Sequence, residues 1–146
     1  MRVRRVLRTI WGGMRDGARG SLKKKSLHIL ADFHECGGEK KYLINKFTVR
    51  EKTLKVIRKA GFQIVASRFH KFTGIDHPDE GGITGVVIVS ESHITVHTWP
   101  ERNFVNIDVF FCNYTQDNTK KARDVFRFFK AMYRPKQISR KEVWRD

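Results

Sequence analysis

Within Val86–Glu101, which reads VVIVSESHITVHTWPE, a β-branched apolar run is interrupted by Ser90, Glu91, Ser92 and His93. It then resumes around a second histidine, His97. An internal serine behind an acidic residue at a strand break admits a distinctive chemistry. Ser92 Oγ can attack the carbonyl carbon of Glu91, converting the peptide bond to an ester. β-Elimination then cuts the chain, and the dehydroalanine left at position 92 hydrolyses to a pyruvoyl group and ammonia. The sequence of steps requires a base for the serine Cα proton and hydrogen-bond donors for the tetrahedral intermediate. Spacing admits this reaction without establishing it. In a regular strand Ser92 and His97 point to opposite faces, so a direct role for both calls for a turn or bulge near Ser92.

Other chemistries fit the residues less well. Six histidines suggest a metal, yet on a strand His93 and His97 would lie about 13 Å apart at ~3.3 Å per residue. They cannot share one ion, and no metal site is predicted. A Cys-His hydrolase built from Cys112 and His97 lacks a glycine elbow and an evident third member. Taken alone, Cys112 reads as a small buried hydrophobe, and His70 in RFHKF as a packed strand histidine. Gly81, Gly82 and Gly85 precede a strand and lack the Lys-Ser/Thr of a phosphate loop.

The elements that must carry these residues follow from hydrophobic periodicity. SLHILADFHEC (Ser26–Cys36) alternates as a strand with Leu27, Ile29, Ala31 and Phe33 on one face. TVREKTLKVIRKAG predicts a helix with a Thr48/Glu51 capping box, a stripe of Val49, Leu54, Val56 and Ile57, and Gly61 as its stop. Phe62–Phe72 is a second strand, followed by the acidic, glycine-rich loop TGIDHPDEGGI. TGVVIVSE and HITVHTW are the next strands, PERN a turn, and Phe104–Cys112 another strand. DNTKKARDVFRFFKAMY presents Val125, Phe126, Phe129 and Met132 as a helical apolar face, and KQISRKEVW is a last, polar strand. This order predicts an α+β two-layer sandwich, a mostly antiparallel sheet with two helices on one face. A single domain over residues 26–146 suits the length.

Composition narrows the class. Residues 1–25 hold nine Lys or Arg against Asp16 alone, so just over half of the net charge of +15 lies there. That segment reads as a basic N-terminal extension, mobile or partly helical. No nucleic-acid motif accompanies it, so a solubilising tail with at most weak nucleic-acid contact is expected. No apolar run approaches the ~18 residues of a membrane span, and no signal-peptide pattern opens the chain. Two cysteines, Cys36 and Cys112, are too few for a disulfide framework, which points to free thiols in a reducing cytoplasm.

VSESHITVHTWPE resembles the processing motif of the prokaryotic S-adenosylmethionine decarboxylase proenzymes, ESH-x-x-x-HTWPE. ADFHEC is similar to that family's first strand, SRFHKF to its second, and IDVFFC to the strand bearing its catalytic cysteine. The likeness spans roughly residues 26–145. It implies cleavage between Glu91 and Ser92, giving chains 1–91 and 92–146, with Ser92 as the precursor of the pyruvoyl group that forms a Schiff base with substrate. The pyruvoyl carbonyl would serve as the electron sink that pyridoxal supplies elsewhere, with no metal and no pyridoxal phosphate. His97 becomes the proton-handling residue of processing and Cys112 the acid that protonates the carbanion carbon after CO2 leaves. Glu101 falls where a carboxylate holds the ribose hydroxyls, Phe72 where a ring stacks on adenine, and Trp99 where it would help line the pocket. The resemblance further implies a homodimer of cleaved protomers with pockets near the interface. The product would be decarboxylated S-adenosylmethionine, the aminopropyl donor of spermidine synthesis.

The departures fall beside the site. The family usually has a serine near the start of the strand entering the cleavage site; this chain has Thr84, which keeps the hydroxyl but restricts χ1. A short P-x-G-V-S-G approach is replaced by the longer TGIDHPDEGGITG, whose Asp76, Asp79 and Glu80 either receive a substrate cation or form a solvated loop on a basic protein. Two alternatives follow: a related pyruvoyl-dependent arginine or ornithine decarboxylase, and a non-processing paralogue that only binds or regulates. Phe72, Trp99 and Glu101 favour the adenosyl substrate.

Overall fold

Alternating apolar residues of Ser26–Cys36 (β1) bury Leu27, Ile29, Ala31 and Phe33 on one side and leave His28, Leu30, Asp32 and His34 half-buried on the other. The same two-sided pattern runs through Ile83–Val89 (β3), Ser92–Trp99 (β4) and Phe104–Phe111 (β5). Ile64–Lys71 (β2) and Pro135–Arg145 (β6) are more exposed and form the sheet edges. A computed structural model describes residues 24–146, so the basic extension expected over 1–25 lies outside the described residues except for Lys24 and Lys25. The strand order is β2-β3-β4-β5-β1-β6, and every neighbouring pair is antiparallel.

Among the described residues three α-helices accompany the sheet, against the two expected. Lys41–Ile44 (α1) is a single turn, too short for a periodic pattern. It is tied to β4 by the buried Thr98, whose hydroxyl donates to Leu43 O at 2.6 Å and accepts from Ile83 N at 2.8 Å. Lys46–Lys59 (α2) buries Val49, Thr53, Leu54, Val56 and Ile57. The expected Thr48/Glu51 capping box is absent. Asn45 is the N-cap, its side chain accepting from Thr48 N at 2.9 Å, so the helix begins three residues earlier. Asparagine is among the strongest N-cap residues, and its oxygen satisfies one of the helix's orphan donors. Gly61, at φ 85°, turns the chain out of the helix as glycine does after a C-cap.

Thr119–Tyr133 (α3) packs on β1 and β5. Its buried face of Ala122, Val125, Phe126, Phe129, Met132 and Tyr133 extends the expected stripe at both ends. One continuous core joins these helices to the inward side of the sheet. Each fully buried Leu, Ile or Phe there contributes about 1.5–3 kcal/mol.

The opposite sheet face carries His97, Thr84 and other polar residues in two rows. Register carries one row across it, through His70, Thr84, His97, Asn106, Asp32 and Ser139. A second row joins Ile88, His93, Phe110, His28 and Val143. Ile88 and Val143 in that row are exposed apolar side chains.

Candidate active site

The polar break in the apolar run is a hairpin tip. Val89 pairs with Ser92, leaving Ser90 and Glu91 as a two-residue loop between β3 and β4. Such loops favour turns with positive φ at their central residues, usually met by Asn or Gly. Neither Ser90 nor Glu91 takes positive φ; Ser92 does, at 124°. That value is far outside the range a non-glycine residue ordinarily occupies, and a strained backbone of this kind costs on the order of 1–3 kcal/mol.

Hydrogen bonds hold the tip from both sides. Ser90 N donates to Gln63 O at 3.1 Å, and Cys112 N donates to Glu91 O at 2.8 Å. The second contact places a backbone donor on the carbonyl that Ser92 Oγ would attack. The Glu91 carboxylate accepts from Thr115 Oγ1 at 2.7 Å and from Asn118 Nδ2. The same Asn118 amide donates to Cys112 O at 2.8 Å. Cys112, half-buried with a free thiol, is therefore anchored through both its N–H and its carbonyl. Cys36, the other free cysteine, is buried under the first strand's end, and burial pushes its thiol up to about 11.

A second cluster occupies the far end of the same hairpin. Thr84 Oγ1 and His97 Nδ1 share a hydrogen bond of 3.0 Å across the β3–β4 pair. Trp99 Nε1 donates to Asn106 Oδ1 at 2.9 Å, and Asn106 Nδ2 donates to Asp32 Oδ1 at 2.6 Å. These bonds fix the indole while leaving it 43% exposed. Phe72 is 52% exposed, with the His70 ring edge-on at 4.7 Å. Glu101, in the 3-10 turn Pro100–Arg102, faces a cleft of about 330 Å³ shared with Asp76, His77, Glu80 and Lys40.

The acidic loop is built against this end. A Cβ on Gly81 would fall 1.8 Å from Phe72 O, and one on Gly82 would fall 2.1 Å from Thr98 O. Only glycine allows that approach. Glu80 pairs with Lys40 at 2.5 Å, and this hydrogen bond holds its carboxyl below the ordinary carboxylate value. Lys71 donates to Asp79 O. Asp76 lines the cleft.

The expected turn near Ser92 exists, but it does not bring Ser92 and His97 together. Both lie on β4, and five residues of strand separate them by roughly 16 Å. Two half-sites result. Glu91, Ser92 and Cys112 gather at one end of the sheet; Thr84, His97, Trp99, Phe72 and Glu101 gather at the other. Asn118, Thr115, Asn106 and Asp32 escaped sequence reasoning because each has a partner distant in the chain. Asn118 carried a weak signal, an asparagine just ahead of a predicted helix. Among the described residues no His, Cys, Asp and Glu side chains cluster as metal ligands. No helix among them is long and apolar enough to cross a membrane.

These features set the chain among α+β two-layer domains in which an antiparallel sheet keeps one face free of helices among the described residues. Comparison with known proteins narrows the class. Residues 27–146 match the family model described as S-adenosylmethionine decarboxylase. The chain is 35% identical over 124 residues to the S-adenosylmethionine decarboxylase proenzyme of Clostridium botulinum, covering 85% of this chain and 97% of that one. The proenzyme of Thermotoga petrophila is 34% identical over 110 residues, 75% and 78% of the respective chains. The crystal structure of the adenosylmethionine decarboxylase from Aquifex aeolicus superposes with a TM-score of 0.69 at 28% identity, covering 84% of this chain and 92% of that one. The chain belongs to the S-adenosylmethionine decarboxylase family.

Proposed function

We propose that this chain is a self-processing, pyruvoyl-dependent decarboxylase of S-adenosylmethionine. The observation that carries the reading is the Glu91–Ser92 bond itself. Its carbonyl is held by Cys112 N–H at 2.8 Å while Ser92 is strained at φ 124°. Ser92 Oγ adds to the Glu91 carbonyl carbon, the C–N bond breaks, and the hydroxyl proton ends on the serine nitrogen, leaving an ester. Cys112 N–H stabilises charge on the carbonyl oxygen during that addition, as an oxyanion donor does. Removal of the Ser92 Cα proton then breaks the Cβ–O bond and releases Glu91 as a carboxylate. The dehydroalanyl terminus takes up water and loses ammonia. Opening the peptide bond also releases the strain at residue 92.

The residues present suit a pyruvoyl group at position 92, because the serine that would form it lies beside Cys112 at a fixed carbonyl. Once formed, that group supplies the electron sink for loss of CO2. Cys112 delivers the proton that replaces the departed CO2. Phe72 offers a ring face to adenine, and Glu101 a carboxylate to the ribose hydroxyls. These two residues and the family membership support the adenosyl substrate over arginine or ornithine.

The separation of the half-sites supports a site shared with a second copy. His97, hydrogen-bonded to Thr84, is the base for the Ser92 Cα proton, yet it stands roughly 16 Å along the strand from the serine of its own chain. A twofold dimer that stacks the two helix-free sheet faces brings the Ser92 end of one copy to the His97 end of the other. Sheets packed this way lie about 10 Å apart, within side-chain reach. Exposed Ile88, Trp99 and Val143 on or beside that face would be covered.

Intact-mass spectrometry of purified protein tests the reading. Two chains are expected, 1–91 and a pyruvoyl-blocked 92–146, with CO2 released from S-adenosylmethionine. A single full-length chain after prolonged incubation removes the self-processing reading. Turnover of arginine or ornithine alone removes the substrate assignment.

A further inference from the structure

Asn118 directly precedes α3, the N-cap position at which asparagine normally turns its side-chain oxygen onto the first free N–H groups of the helix. It does not do so here. The residue is fully buried, and its Oδ1 has no partner among the described residues. Its amide nitrogen instead donates to the Glu91 carboxylate and, at 2.8 Å, to Cys112 O. A strong helix cap has been diverted to the tip of a hairpin 27 residues away in sequence. Local rules are broken in this way chiefly at functional positions.

The diversion is supported from behind. Asn118 N donates to Asn113 Oδ1 at 2.7 Å. Asn113 in turn donates to Ser26 Oγ and to Lys25 O, both at 2.9 Å. The loop after β5 is thereby pinned to the start of β1, so Asn118 presents its amide from a fixed base. Thr115 on the same loop reaches the other carboxylate oxygen of Glu91 at 2.7 Å. Among the described residues no Lys or Arg forms an ion pair with Glu91, so its carboxylate is held by neutral donors alone.

We propose that Asn118, assisted by Thr115, is a positioning residue for self-cleavage that clamps the Glu91 side chain and so holds the scissile carbonyl against Cys112 N–H. The inference rests on the self-cleavage reading above. Glu91 is gripped at its carbonyl by Cys112 N–H and at its carboxylate by Asn118 and Thr115. One amide links the two grips, because Asn118 also holds the Cys112 carbonyl. Without it the two-residue loop can relax, Ser92 can leave its positive φ, and Oγ loses its line to the carbonyl carbon. The rate of an intramolecular attack depends steeply on that alignment.

The test follows cleavage of refolded full-length chain by electrophoresis and intact mass. Asn118→Asp replaces the donor by a second carboxylate and is expected to slow cleavage about tenfold to a hundredfold, the scale of a misplaced reacting pair. Its uncut chain should resist hydroxylamine, which cleaves an accumulated ester but not the amide, because the acyl shift is the step impaired. Pairing it with Glu91→Gln exchanges donor and acceptor and should recover a substantial part of the rate, which a merely structural asparagine would not allow. Thr115→Val, on the exposed loop, should slow cleavage severalfold and decides alone if Asn118→Asp does not fold. Parental rates in folded Asn118→Asp and Thr115→Val, a hydroxylamine-sensitive ester in Asn118→Asp, or no recovery in the exchanged pair overturns the clamp. A parent chain that never cleaves overturns the self-processing reading instead.

Discussion

The two ends of the β3–β4 hairpin solve different physical problems. At the tip, backbone is the working material: Ser92 sits at φ 124°, Glu91 O is fixed by Cys112 N–H, and a buried asparagine holds the Glu91 carboxylate. At the far end, side chains are presented outward. Phe72 and Trp99 are about half exposed, Glu101 faces a cleft, and His97 is oriented through Thr84. On the proposed function the tip holds a bond to be broken, which must be immobilised, and the far end receives a ligand, which must be admitted. Since one strand joins the two ends, distance rather than chemistry prevents a single chain from uniting them.

The largest expected effects test whether the ends act in trans. Ser92→Ala removes the attacking oxygen and should remain wholly uncut, and His97→Ala should cleave very slowly. Coexpressed, the two variants should form mixed dimers in which the intact serine of one would meet the intact histidine of the other. The His97→Ala chain should then be cut, read as its two fragments by mass. No cutting in verified mixed dimers would return both residues to one protomer and sink the shared site.

Cys112→Ala separates the two duties of the tip. Its backbone N–H survives, so self-cleavage should proceed near the parental rate, while decarboxylation loses its proton donor. Such acid–base roles are worth about 10²–10⁴-fold. A variant that cleaves and turns over like the parent would reduce Cys112 to a packing residue.

At the admitting end the losses should be smaller and confined to substrate use. Base stacking on an aromatic ring contributes ~1–3 kcal/mol, so Phe72→Ala should lower kcat/KM about tenfold to a hundredfold without slowing cleavage. Glu101→Gln should act in the same direction. Neutralising Asp76, Asp79 and Glu80 together should change little. If that triple change abolishes turnover while Phe72→Ala does not, the acidic loop rather than the aromatic ring selects the substrate.

The smallest effect concerns the helix-free face between the two ends. Burial lowers the pKa of His28 from its ordinary 6.5; Asp108 opposes the shift, while Arg145 and His93 reinforce it. The unfolded chain therefore binds a proton more readily than the folded one. Stability is full above 6.5, falls as pH drops below that value, and levels off once folded His28 is also protonated. In an uncleavable Ser92→Ala background, His28→Phe should narrow the gap in Tm between neutral and mildly acidic buffer. An unchanged gap would assign the pH dependence elsewhere.

Among the described residues the sequence by itself determined the inner strands, because each alternates or runs apolar over several residues, and it determined both long helices. The polar edge strand Pro135–Arg145 carries a weaker pattern. Ser26–Cys36 was legible to the residue, and the composition of VSESHITVHTWPE singled out Glu91 and Ser92 as the point of interest. Short-range capping is ambiguous in the sequence: Thr48 and Glu51 fit a capping box, yet Asn45 lies one helical turn earlier and wins. A four-residue helix such as Lys41–Ile44 has no period to detect. Only the tertiary structure decided that the break is a hairpin tip with its strain at Ser92, that Asn118 deserts its helix for Glu91, and that Asn106 and Asp32 brace Trp99. It also separated Ser92 from His97. Local pattern is set by each residue's own backbone and burial preferences, whereas the Asn118–Glu91 and Asn106–Asp32 contacts join residues 27 and 74 positions apart and exist only once the sheet has brought them into register.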